Sequence, residues 1–239
     1  MENSTPIYLD YNATTPIAKE VADEMAPYLY GNFGNPSSTH PYGVQAKLAV
    51  EKARQQVAEA INCRSSEVVF TSGGTESNNY AIRGYALANR DKGNHIITSA
   101  IEHPAVLEVC RYLETRGCLV TYLPVDHYGL VDPQDLEYAI TPKTLLVSIM
   151  HANNEVGTIQ PIKELAEITH KAGAVFHTDA AQTLGKIPLD VQDLGVDLLS
   201  IAGHKLYAPK GIGALYISSG TVLKKLMQGA DHESDRRPG

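Results

Sequence analysis

Val68-Val69-Phe70-Thr71-Ser72-Gly73-Gly74-Thr75-Glu76-Ser77-Asn78-Asn79 reads as a short β-branched and aromatic run, two glycines, and a helix-compatible stretch that continues to about Ala88. Paired glycines let the backbone turn tightly and approach a ligand. Thr75 adds a hydroxyl, and the helix start presents unpaired N–H groups at the favourable end of its dipole. That combination suits a phosphate. It is not a nucleotide P-loop, because the Gly-x-x-x-x-Gly-Lys-Ser/Thr spacing is absent and no lysine follows the glycines. The same residues would also serve as an ordinary strand–turn–helix junction capped by Ser72 or Thr75.

The pattern recurs along the chain. Apolar strand-like runs near 68–71, 96–99, 120–123, 145–149, 174–177, 198–201 and 213–217 alternate with helical patterns near 44–60, 77–88, 105–114, 133–139 and 162–171. Such alternation predicts an α/β fold, a mostly parallel sheet with helices on both faces. Residues 1–43, rich in Pro, Asn, Gly and Tyr, read as an irregular N-terminal arm, and 44–228 as one large domain. Residues 229–239 carry no apolar periodicity and read as a loose tail.

Four further strand ends carry polar residues, where ligands of open α/β sheets collect. His103, after the run 96–99, offers a flat imidazole that can stack on an aromatic ring, or simply a polar residue ahead of Pro104. Asn154, after 145–149, offers an amide, although Asn153-Asn154 equally suits a turn. Asp179, after 174–177, can hold a ring nitrogen protonated and so make that ring an electron sink, or can cap the following helix. Lys205 closes the run Leu198-Leu199-Ser200-Ile201-Ala202-Gly203-His204-Lys205. In a partly desolvated site a lysine loses some preference for its charged form, and a neutral amine attacks an aldehyde to give a Schiff base. A phosphate cup, a flat imidazole, an amide, a carboxylate and a lysine on five strand ends together describe a site for pyridoxal 5'-phosphate.

Composition narrows the class. A net charge of −7 argues against a nucleic-acid surface. Three scattered cysteines, with no Cys-x-x-Cys and no metal-ligand spacing, predict neither a disulfide framework nor a metal site. No apolar run is long enough to span a bilayer, and no secretory or transit segment is read at the start, so a cytoplasmic protein is expected.

With these motifs in view, the chain resembles the cysteine desulfurase and selenocysteine lyase family of class V aminotransferase-like enzymes. The resemblance rests on Tyr8-Leu9-Asp10-Tyr11-Asn12-Ala13-Thr14-Thr15-Pro16, Gly34-Asn35-Pro36-Ser37-Ser38-Thr39-His40, the glycine segment, Glu102-His103-Pro104, residues 151–157 and 177–182, and Gly203-His204-Lys205. It implies that Gly74, Thr75 and His204 hold the cofactor phosphate and that His103 covers the ring. It further implies that Asn154 and Gln182 address the phenolic oxygen, Asp179 the ring nitrogen and Lys205 the aldehyde. The arm would lie across the active site. The substrate would be cysteine or selenocysteine, and the family is homodimeric.

Two departures matter. The small C-terminal domain of the family, with its sulfur-acceptor cysteine and carboxylate-binding arginine, lies beyond the segment resembling Arg236-Arg237-Pro238-Gly239, so the expectation is a C-terminally truncated member. None of Cys63, Cys110 or Cys118 stands in the acceptor's place. Ala202 stands where many desulfurases have a serine on the phosphate, a loss of about 1 kcal/mol. The alternative expectation is a catalytically inactive relative that binds the cofactor or a full-length partner.

Overall fold

A computed structural model describes residues 6–239; the first five residues of the expected arm lie outside the described residues. The strands are β1 (Val68–Thr71), β2 (His95–Ser99), β3 (Leu119–Leu123), β4 (Thr144–Ser148), β5 (Val175–Asp179), β6 (Leu198–Ala202) and β7 (Gly213–Ile217). They form one sheet in the order β1-β7-β6-β5-β4-β2-β3. The pairs β2·β3, β2·β4, β4·β5 and β5·β6 are parallel, whereas β7 runs antiparallel to both β6 and β1.

The helices are α1 (Lys19–Tyr30), α2 (Pro41–Ala60), α3 (Gly74–Ala88), α4 (Pro104–Glu114), α5 (Pro133–Ala139), α6 (Ile162–Lys171), α7 (Val191–Leu194) and α8 (His232–Asp235). Three begin on a side-chain cap followed by proline: His40, His103 and Asp132 each accept a first-turn N–H. Among the described residues no helix is long and apolar enough to cross a membrane.

The sheet is covered on both sides, so its central strands are apolar at successive positions rather than at alternate ones. Neighbouring residues go to opposite faces. Ile97, Val147, Phe176 and Leu199 join one buried cluster with Leu136 of α5 and Leu165 of α6. Ile96, Leu146, Leu198 and Leu215 join a second with Tyr80 and Ile82 of α3 and Val106 and Leu113 of α4. Burial of this kind stabilises by roughly 25 cal/mol per Å² of apolar surface. It fixes the strand ends from which the site is built.

Two segments depart from the sequence reading. The arm is not wholly irregular: α1 forms within it, with no buried residue and Pro27 inside, so no apolar face announces it. The tail is docked rather than loose, and polar contacts hold it. Glu233 accepts from both terminal nitrogens of Arg54, 2.8 Å at Nη2, and from the Phe70 N–H at 2.8 Å. Arg237 Nε donates to Glu76 Oε1 at 2.8 Å, and the Tyr80 hydroxyl donates to the Arg236 carbonyl at 2.7 Å. A search for apolar period does not register a segment anchored in this way.

Candidate functional site

All eight residues singled out in the sequence, Gly74, Thr75, His103, Asn154, Asp179, Gln182, His204 and Lys205, line one cavity of about 340 Å³. It opens where strand ends meet helix starts. Gly73, at φ +149°, turns the chain from β1 into α3. It is itself the N-cap, and among the described residues no side chain caps the helix. Neither Ser72 nor Thr75 therefore takes the capping role, and the first turn of α3 faces the cavity from an end without a side-chain cap. Gly74 sits against Ala202: a Cβ added at Gly74 would meet the Ala202 Cβ at 3.1 Å, so the approach of α3 to β6 calls for a small residue on both sides.

His103 takes the second of its sequence readings, the polar residue ahead of Pro104, and also lines the cavity. Its Nδ1 accepts the Ala105 N–H at 3.1 Å, which caps α4 and fixes the ring where it forms a wall of the cavity.

Asp179, at the end of β5, is buried. Its Oδ1 accepts the Ala181 N–H at 2.9 Å and its Oδ2 accepts Asn78 Nδ2 at 2.7 Å. Burial raises its pKa against these two bonds and against the charges of His103 and Lys205, which lower it. Asn78 escaped the sequence reading. It stands one turn beyond Thr75 on α3, a spacing that brings both to one face of the helix. Its own Oδ1 is buried without a partner among the described residues.

Lys205 lies in the short 3₁₀ turn Gly203–Lys205 that follows β6. Its Nζ donates to the carbonyls of Asn12 and Ala13, the latter at 2.9 Å. Burial and the nearby Lys186 charge lower its pKa, opposed by Asp179, Asp10 and Glu155. The N-terminal segment thus reaches the site, and more bonds tie it there. Gln182 Nε2 donates to the Asn12 carbonyl at 2.9 Å, Thr14 Oγ1 meets His204 Nδ1 at 3.1 Å, and Thr15 Oγ1 donates to the His204 carbonyl at 2.9 Å.

The two amides line the cavity, each with one donor engaged. Asn154 Nδ2 donates to Glu155 Oε1 at 2.6 Å, and Gln182 spans Asn12 and Lys186. Each amide nitrogen carries a second hydrogen with which it can address a ligand. Beneath the floor, His177 is fully enclosed between Ser148 Oγ at 2.8 Å and Ser200 Oγ at 3.0 Å, and burial drives its pKa down to about 3. It is a neutral structural ring. No cysteine lines the cavity, and burial pushes the thiols of Cys63 and Cys110 up to about 12.

A profile of the aminotransferase class-V family matches residues 7–235. The chain belongs to the aminotransferase class-V family. It is 56% identical over 233 residues to cysteine desulfurase IscS of Dictyoglomus turgidum, covering 98% of this chain and 59% of that protein. It is 50% identical over 237 residues to a cysteine desulfurase of Mus musculus, covering 98% of this chain and 52% of that one. The chain thus spans little more than half the length of these curated relatives. Among solved structures, a NifS-like protein superposes with a TM-score of 0.96 at 42% identity, covering 98% of this chain and 65% of that chain. The structure titled SspA in complex with cysteine gives 0.94 at 44% identity, covering 97% of this chain and 67% of the other. Class-V aminotransferases and cysteine desulfurases are pyridoxal phosphate enzymes.

Proposed function

We propose that this chain is the cofactor-binding part of a cysteine desulfurase, which removes the sulfur of cysteine and leaves alanine. The observation that carries the reading is one cavity shared by an amine of lowered pKa, a helix start without a side-chain cap and a buried carboxylate.

The residues fit pyridoxal phosphate on physical grounds. Among the described residues no cationic side chain hydrogen-bonds to Asp179, so a protonated ring nitrogen would supply the charge that this buried carboxylate lacks. Gly74, Thr75 and His204 would hold the phosphate at the start of α3. His103 would stack on the ring, and Asn154 and Gln182 would reach the phenolic oxygen through the second hydrogen of each amide. The cofactor, when bound, supplies an electron sink for negative charge at the substrate Cα. Lys205 would bind it through Nζ and, once released, take the proton from Cα, a role that its lowered pKa favours.

Nothing among the three cysteines supplies a sulfur acceptor, because none lines the cavity. The 239-residue polypeptide therefore binds the cofactor and cysteine without sustained turnover. Selenocysteine would meet the same groups. A second copy as partner and a cytoplasmic location belong to the same proposal, and the exposed Ile7, Leu9, Tyr30 and Phe33 support a covered N-terminal surface.

Desalted protein loaded with pyridoxal phosphate and titrated with cysteine tests the reading. The expected result is a saturable change in the bound cofactor's absorbance, with sulfide released no faster than by free cofactor. No spectral response at any cysteine concentration would remove the substrate assignment. Rapid turnover would show that a group in this chain accepts the sulfur.

A further inference from the structure

Between β2 and α4 the chain passes through Ala100-Ile101-Glu102-His103, and between β4 and the cavity it passes through Ile149-Met150. His103 and Met150 both line the cavity, whereas Glu102 does not and is 4% exposed. Its carboxyl spans the gap between the two passages. Glu102 Oε1 accepts the Ser99 hydroxyl at 2.6 Å and the Met150 N–H at 2.9 Å, and Oε2 lies 3.1 Å from the same N–H. One neighbouring bond runs in parallel: Asn153 Nδ2 donates to the Ile101 carbonyl at 3.0 Å.

We infer that Glu102 is a positioning residue of the cofactor site, a carboxylic acid that clamps the end of β2 to the end of β4 and so sets the His103 wall against the Met150 floor. The inference deepens the proposed function and rests on it for the cofactor readout alone.

Three observations support an uncharged clamp. Among the described residues no cation hydrogen-bonds to the carboxyl, and its partners are a hydroxyl and one amide. Oε1 is the nearer oxygen to both donors, so Oε2 is the oxygen left to carry a proton. The titratable groups whose charges bear on it, Asp179 from β5 and Cys110 from α4, are neutral or negative, so neither offers a counter-charge. Burial and the Asp179 charge accordingly push the Glu102 pKa up to about 8, against the bonds from Ser99 and Met150.

A neutral clamp has a signature in pH. The folded protein holds a proton that the unfolded chain releases at the ordinary value of 4.5, so the clamp's contribution is complete below that pH. It declines as the pH rises to about 8 and is constant above.

Glu102→Gln and Glu102→Ala test the inference together. Glutamine keeps the Oε1 acceptor and cannot ionise, whereas alanine leaves the buried Met150 N–H unpaired. The glutamine variant should retain pyridoxal phosphate at pH 7 as the wild type does, and the alanine variant should bind it roughly tenfold more weakly. In cofactor-free protein, the wild-type unfolding midpoint should fall relative to that of Glu102→Gln as the pH rises from about 5 to 8, then run parallel to it. Equal cofactor loss in both variants, or undiminished binding by Glu102→Ala, would overturn the positioning role. Parallel midpoints across the whole range would overturn the neutral clamp. A wild type that retains no pyridoxal phosphate would instead overturn the proposed function, and the clamp would stand or fall on the pH comparison.

Discussion

Asp179→Asn should separate the cofactor site from the fold. Asparagine can keep Oδ1 on the Ala181 N–H, while its new amide nitrogen replaces Oδ2 and would face Asn78 Nδ2, donor against donor. A half-turn of the Asn78 amide resolves the clash, because Asn78 Oδ1 has no partner among the described residues and can accept the new N–H. Both bonds persist, and a carboxyl whose charged form burial disfavours is gone. The unfolding midpoint of the cofactor-free variant should therefore match or exceed that of the wild type.

Cofactor retention should behave differently. A hydrogen bond to a charged group is worth about 1.5–3 kcal/mol net. Its loss at the ring nitrogen corresponds to roughly 10- to 150-fold weaker binding. Absorbance titration with pyridoxal phosphate measures that ratio, and a thermal melt of the same samples measures the fold. Unchanged affinity in Asp179→Asn would refute the pairing of Asp179 with the ring. A variant that binds weakly only because it has lost stability would refute the compensation by Asn78.

Two further outcomes concern the frame around the site. His177 should stay neutral by NMR titration down to pH 5; because burial holds its pKa near 3 while the unfolded ring takes its proton near 6.5, its contribution is intact above about 6.5 and is lost as the pH falls toward 3. Arg54→Ala leaves the Glu233 carboxylate without its guanidinium in a half-closed setting, at a cost of up to about 3–5 kcal/mol unless the tail detaches. Limited trypsin digestion should then cut after Arg236 faster than in the wild type, and equal rates would show that the pair does not hold the tail.

Strand and helix positions were legible because they depend on near neighbours. Runs such as Leu145-Leu146-Val147 are apolar at every position because the sheet is covered on both faces, and the Asp132-Pro133 start of α5 declares itself through a cap and a fixed φ. The residues that line the cavity could be grouped for a related reason: each follows a strand, and a mostly parallel sheet delivers most of those ends to one place. The remainder depends on partners far away in the chain. Nothing near 213–217 states that β7 runs antiparallel to β6. The backbone carbonyls of Asn12 and Ala13 reach Lys205 from more than 190 residues away in sequence, and carbonyls carry no residue identity. Asn78 reads as one more polar position on a helix until the Asp179 carboxylate is placed beside it.

The central claim is that Lys205 Nζ is the group that takes the cofactor aldehyde. Borohydride reduction of the loaded protein, followed by peptide mapping, tests it most directly. Competing amines are close at hand, since Lys210 also lines the cavity and Lys186 lowers the Lys205 pKa through its charge. The account predicts a pyridoxyl group on Lys205 alone, absent from Lys205→Ala. A label on Lys186 or Lys210 in the wild type, or on no lysine, would contradict it.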